Sequence, residues 1–153
     1  MGTWRRGSNN GRFYLRKSTV ILKLNAIAFN LVGCKNEMVM SNFSFQTIDW
    51  NKISSTEHPG ETGTSFWNTL QLEGLRIRMV EYSAGYLADH WCQKGHIVHC
   101  LEGEFESEME NGERFVLTKN MSYIVSDNLS SHRSYSKNGV KLLIVDGDFL
   151  NNK

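Results

Sequence analysis

Three of the chain's five histidines and two of its three cysteines fall in one stretch, GYLADHWCQKGHIVHCLEG, running from Gly85 to Gly103. Imidazole nitrogen and thiolate sulfur are the donors that hold transition-metal ions. In an extended chain successive side chains alternate faces, so His90 and Cys92 point one way and Trp91 the other. Gly95 lets the backbone bend, which allows His96 to swing back toward the same side. His132 lies far enough downstream for one or two hairpins to return the chain and supply a fourth group. Together His90, Cys92, His96 and His132 outline a metal site.

These groups must be carried by strands. The segment FSFQTIDW from Phe43 alternates apolar and polar residues and predicts a short strand, whereas KISSTEHPGETGT, with the lone Pro59, predicts a loop. SFWNTLQL and LRIRMVEYS form a hairpin across Glu73-Gly74, with Leu75, Ile77 and Met79 on one face and Arg76 and Arg78 on the other. EFESEME and ERFVLT flank Asn111-Gly112, a strong hairpin signal. SYIVS, HRSYS and VKLLIVDGDF complete the set, and VKLLIV, apolar on both faces, predicts a central, covered strand. No body segment of ten or more residues shows a helical period. About nine turn-separated strands predict an all-β sandwich or barrel. Glutamates at 102, 104, 106, 108 and 110 occupy every second position, which predicts a solvated face opposite Phe105 and Met109.

At 153 residues and 40% hydrophobic, the chain suits one compact domain, and no apolar run is long enough to span a bilayer. The formal charge of +1 conceals two unlike parts: residues 1–39 carry +6 and residues 40–153 carry −5. The acidic body lacks the clustered basic face of a nucleic-acid binder, so neither nucleic acid nor membrane is an expected partner. Three cysteines are too few for a disulfide scaffold and favour a reducing compartment; a Cys92–Cys100 bridge is the bland alternative. Residues 1–39 read as an N-terminal extension outside the fold, with Met40 as the working start of a domain 40–153 and a cytoplasmic location. The alternative is an exported lipoprotein, since Leu31-Val32-Gly33-Cys34 is similar to a cleavage box after a basic, apolar leader.

The central stretch resembles the first motif of the cupin superfamily: a glycine, His-x-His, three or four residues, a Glu, six residues and a Gly. Here Gly85 precedes His90-x-Cys92, then His96 and Gly103, with Cys92 standing for the second histidine and His96 for the glutamate. Of the second motif the histidine survives, as His132. The tetrapeptide Asp89-His90-Trp91-Cys92 is similar to that of the small bacterial DHCW-motif cupin-fold proteins.

This resemblance implies a double-stranded β-helix, a jelly-roll barrel, with His90, Cys92, His96 and His132 as metal ligands in its mouth. A divalent transition metal, Zn, Fe, Ni or Cu, suits that donor set, with Cys92 as thiolate supplying the charge that the missing glutamate does not. Asp89, facing outward, takes a supporting or turn role. Tyr123, if inward, is a proton donor of dioxygenase, isomerase or lyase chemistry on a small molecule. Arg76 or Arg78 would meet a substrate carboxylate only if the strand face is reversed. A non-catalytic small-molecule sensor or binding module is the alternative, and a closed structural metal site a third. His58 and His99 read as structural. A homodimer through an edge strand is also expected from the resemblance.

Overall fold

The computed structural model describes residues 42–151. The lipoprotein-like box, Cys34 and the compositional break at Met40 lie outside them. Nine strands make up most of the described chain: β1 (Ser55–Pro59), β2 (Thr64–Leu72), β3 (Leu75–Tyr82), β4 (Tyr86–Leu87), β5 (His96–Met109), β6 (Arg114–Thr118), β7 (Ser122–Val125), β8 (His132–Ser136) and β9 (Val140–Gly147). Every pairing is antiparallel. The path runs β1-β2-β3-β9-β5-β8-β4, with β6 and β7 also paired to β5, and it curls into a partly closed barrel. Among the described residues there is no α-helix.

Strand β5 joins the two halves. Its first part, from Ile97 to Gly103, pairs with β9, and its later part, from Glu104, pairs with β6 and β8. The register slips between Cys100 and Glu102, and Gly103 sits at φ 84°, a left-handed conformation that glycine adopts without a Cβ penalty. That bulge turns one strand into two walls. The core between the walls is built from Val80, Tyr82, Tyr86, Val98, Cys100, Phe105, Leu117, Val140, Leu142 and Ile144.

Several local expectations hold. β2 and β3 close over Glu73-Gly74 with Leu72 opposite Leu75, and Gly74 takes the φ of 67° that a tight turn requires. β9 is central, between β3 and β5. The glutamate row faces outward, where Arg114 pairs with Glu106 and Glu108, and Arg133 also takes Glu108.

Three differ. Residues 43–49 form no strand, and Phe45 is almost fully exposed: alternation without a partner strand buries nothing. The expected loop instead holds edge strand β1, where Pro59, last in the strand, needs no ladder donor from its own nitrogen. On β3, Arg78, Val80 and Tyr82 are buried with Arg76 on their face, so the arginines point inward. Val80 and Tyr82, both in the core, set the inward face against the three apolar residues Leu75, Ile77 and Met79, and an inward acid on β9, Asp146, receives the guanidinium charge.

Candidate metal and ligand site

Residues between β4 and β5 do not form the strand expected of them. Asp89 to Gly95 is irregular apart from one bridge: Cys92 N–H donates to the His132 carbonyl at 2.7 Å, and His132 N–H donates back to the Cys92 carbonyl at 3.0 Å. Directly opposed antiparallel residues carry their side chains on the same face, so this exchange sets the Cys92 thiol beside the His132 ring. Asp127 steers the chain into β5. Its carboxylate accepts from the Gly95 N–H and from Lys94 Nζ at 2.8 Å, and a Cβ on Gly95 would lie 2.6 Å from the Asp127 nitrogen. The Lys94 ammonium and the Gly95 N–H hold the Asp127 carboxyl below the usual carboxylate range. Directly after Gly95, His96 begins β5 with its side chain inward.

Cys92, His96 and His132 each offer a donor atom, and the three atoms lie within 4.8 Å of one another. His96 and His132 are buried, Cys92 half-buried. The two imidazole rings stand nearly perpendicular, at 88°, with their Nε2 atoms 2.8 Å apart. His132 Nδ1 donates to the Ser130 carbonyl at 2.9 Å, which leaves its Nε2 lone pair directed at His96. His96 Nδ1 is buried without a hydrogen-bond partner. Burial, then the neighbouring His132 and the Arg78 cation, pull the His96 imidazole down to about 3, so it stays neutral and able to bind a cation at ordinary pH. Tyr123, on β7, places its Oη 3.0 Å from His96 Nε2, and burial raises the phenol well above its ordinary value, which keeps it protonated.

The fourth anticipated ligand differs. His90 does not join the cluster: its side chain is 71% exposed, and Asp89 holds Nδ1 at 2.6 Å at the cavity rim. With no strand between Ala88 and Gly95, the alternation that would have paired it with Cys92 does not operate. Cys92 and Cys100 are both free thiols, so no bridge joins them. His58 stacks on Trp67, and His99 meets the Ser122 hydroxyl at 2.8 Å, both outside the cluster.

The three donors open into a cavity of about 240 Å³, at the small end of ligand pockets. Its lining includes Tyr82 and Tyr86, stacked at 4.1 Å. Arg76 and Arg78 line it too. Arg76 Nε donates to Asp146 Oδ1 at 2.8 Å and Arg78 Nη2 to Oδ2 at 2.6 Å, while the Arg78 guanidinium lies 4.6 Å over the Trp67 ring. Sequence reading missed this triad as a unit. Its signal was Asp146, an acid ending an apolar central strand, which demands a buried partner.

No family model matches the sequence, and no curated protein does. Solved structures do match. An RmlC-like cupin from Shewanella frigidimarina superposes with a TM-score of 0.54 at 21% identity, over 71% of this chain and 91% of that one. The chain has the cupin fold. Ectoine synthase from P. lautus matches this chain with a TM-score of 0.54 at 24% identity, over 67% and 78% of the two chains. A cupin-superfamily sugar phosphate isomerase from Silicibacter pomeroyi gives 0.55 at 13% identity, over 67% and 75%.

The donor set fits a divalent transition ion. Two imidazole nitrogens and one thiol converge, and one ring donates to a backbone carbonyl, the usual support of a metal-bound histidine. Cys92, His96 and His132 would hold such an ion with three protein ligands, one fewer than the closed sites of purely structural zinc.

Proposed function

We propose that this chain is a metal-binding cupin that holds a small molecule in its barrel cavity, with Cys92, His96 and His132 as the protein ligands of a divalent transition ion. One observation carries the reading: three donor atoms of metal-binding type lie within 4.8 Å of one another on the wall of a cavity. Such an ion supplies Lewis-acid polarisation of a bound oxygen. The chain's own groups do the rest. Tyr123 keeps its proton and stands beside His96, placed to donate to a ligand atom, and Tyr82 and Tyr86 line the cavity. His90, oriented by Asp89 at the rim, lines the same cavity and meets an entering molecule.

The fold does not select a reaction, because the structures that share it include a synthase and an isomerase. The binding-module reading stands beside the enzyme: no Asp or Glu lines the cavity, whose titratable lining is imidazole, thiol, phenol and Lys94. The free thiols Cys92 and Cys100 support a reducing, cytoplasmic setting. The Asp89–Cys92 tetrapeptide supports kinship with the DHCW group.

Elemental analysis of protein purified without added chelator tests the proposal. One equivalent of a transition metal is expected in the wild type; absence of metal, together with no uptake of Zn(II), Fe(II), Ni(II) or Cu(II) on titration, overturns it.

A further inference from the structure

The cavity is lined by four cations, Arg76, Arg78, Lys94 and Arg133, and by no acid. Two of the four are balanced from outside it: Lys94 by Asp127, and Arg133 by Glu108. Arg76 and Arg78 share one carboxylate, Asp146, so this group keeps an excess positive charge. Arg78 is 6% exposed and Asp146 3%, and the Arg76 side chain is 33% exposed, so water solvates the excess only in part. The Arg78 Nε–H is also buried without an acceptor. The unpaired donor lies on Arg78 and the surplus charge on its neighbour Arg76, and one anionic oxygen between them relieves both.

From this we infer that the part of the cavity wall formed by Arg76 and Arg78 is a subsite for the carboxylate of a small organic acid, with Arg78 Nε–H as the directional donor and Arg76 supplying the surplus charge. The surplus is a single charge, which matches a carboxylate rather than a dianionic phosphate. Trp67 beneath the Arg78 guanidinium fixes the plane in which Nε–H points. The acid's apolar part then lies over Tyr82, Tyr86 and Leu142. This deepens the reading of the cavity as a ligand site, and its test separates the two.

The probe is propionate, with propionamide as its neutral counterpart of the same shape and inorganic phosphate as the competing anion. Binding is followed through the isotope-labelled arginine Nε–H resonances, on protein as purified and after exhaustive chelation. Propionate is expected to bind at least about tenfold more tightly than propionamide, the worth of one charge-assisted hydrogen bond, and to shift the Arg78 Nε–H signal in both preparations. Arg76→Gln, at a side chain a third exposed, removes the surplus charge and is expected to abolish the preference. Arg78→Lys keeps the charge and the Asp146 pair but removes the Nε–H, and is expected to abolish it too. Equal affinities for acid and amide, an unmoved Arg78 signal, or phosphate bound where propionate is not, overturns the inference. Stoichiometric metal without the carboxylate preference defeats the subsite alone, and the preference without any metal defeats the metal centre alone.

Discussion

Cys92 and His132 exchange both of their backbone hydrogen bonds although forty positions apart, and that pairing, outside any regular strand of Cys92's own, brings a thiol to a buried imidazole. His96 reaches the same point from the start of β5. The cluster therefore depends on the loop before β5 as much as on the barrel.

Removal of single donors checks this. Cys92→Ser, His96→Ala and His132→Ala are each expected to lower metal affinity by about tenfold or more, whereas His90→Ala, at the exposed rim, retains bound metal. Competitive chelator titration gives the affinities; loss of metal from His90→Ala equal to that from His132→Ala would place His90 among the ligands.

Gly95→Ala tests the loop. A Cβ there meets the Asp127 backbone at 2.6 Å, and backbone cannot step aside as a flexible side chain does. The expected cost is about 1–3 kcal/mol in urea unfolding, with metal affinity reduced because His96 is displaced. An unchanged unfolding midpoint would show that the loop is not pinned at this contact.

Asp127 makes the loop sensitive to acid. Its carboxyl is held below its unfolded value, first by the hydrogen bond from Lys94, so the anion favours the fold: the contribution is complete above the unfolded carboxylate pKa of about 4 and is lost as pH falls through the lower folded value. In Asp127→Asn this part of the acid limb should vanish, leaving a less stable protein whose unfolding free energy changes less between pH 5 and pH 3. Parallel curves for the two proteins would contradict it.

Breaking the buried triad should be more severe. Asp146→Asn leaves two guanidinium groups facing each other with no counter-ion, and about 3–5 kcal/mol of stability is expected to go. The triple change Arg76→Gln, Arg78→Met, Asp146→Leu should cost less than Asp146→Asn alone. Denaturant unfolding of the two variants decides, and equal losses would mean that the triad is not electrostatically coupled.

Among the described residues, strands β6 and β7 each pair only with β5, and they leave Phe115, Val116 and Ile124 exposed near an edge suited to the homodimer expected from the fold resemblance. Light scattering should find a dimer that Ile124→Lys dissociates. A monomeric wild type at micromolar concentration refutes it.

The sequence alone was enough for the all-β architecture, for the Glu73-Gly74 and Asn111-Gly112 turns and for the central place of VKLLIV, because alternation and turn chemistry are local signals carried by neighbouring residues. It also drew attention to Cys92, His96 and His132, whose types are informative wherever they stand. Which of the candidates meet was decided only in three dimensions. His90 falls at the rim because the chain around it is not a strand, and Cys92 reaches its partner through a bridge to a residue far along the chain. The inward turn of Arg76 and Arg78 was likewise hidden, since the face a strand presents is chosen by its total burial and by its cross-strand neighbours, here Asp146 on β9, and no local pattern holds that information.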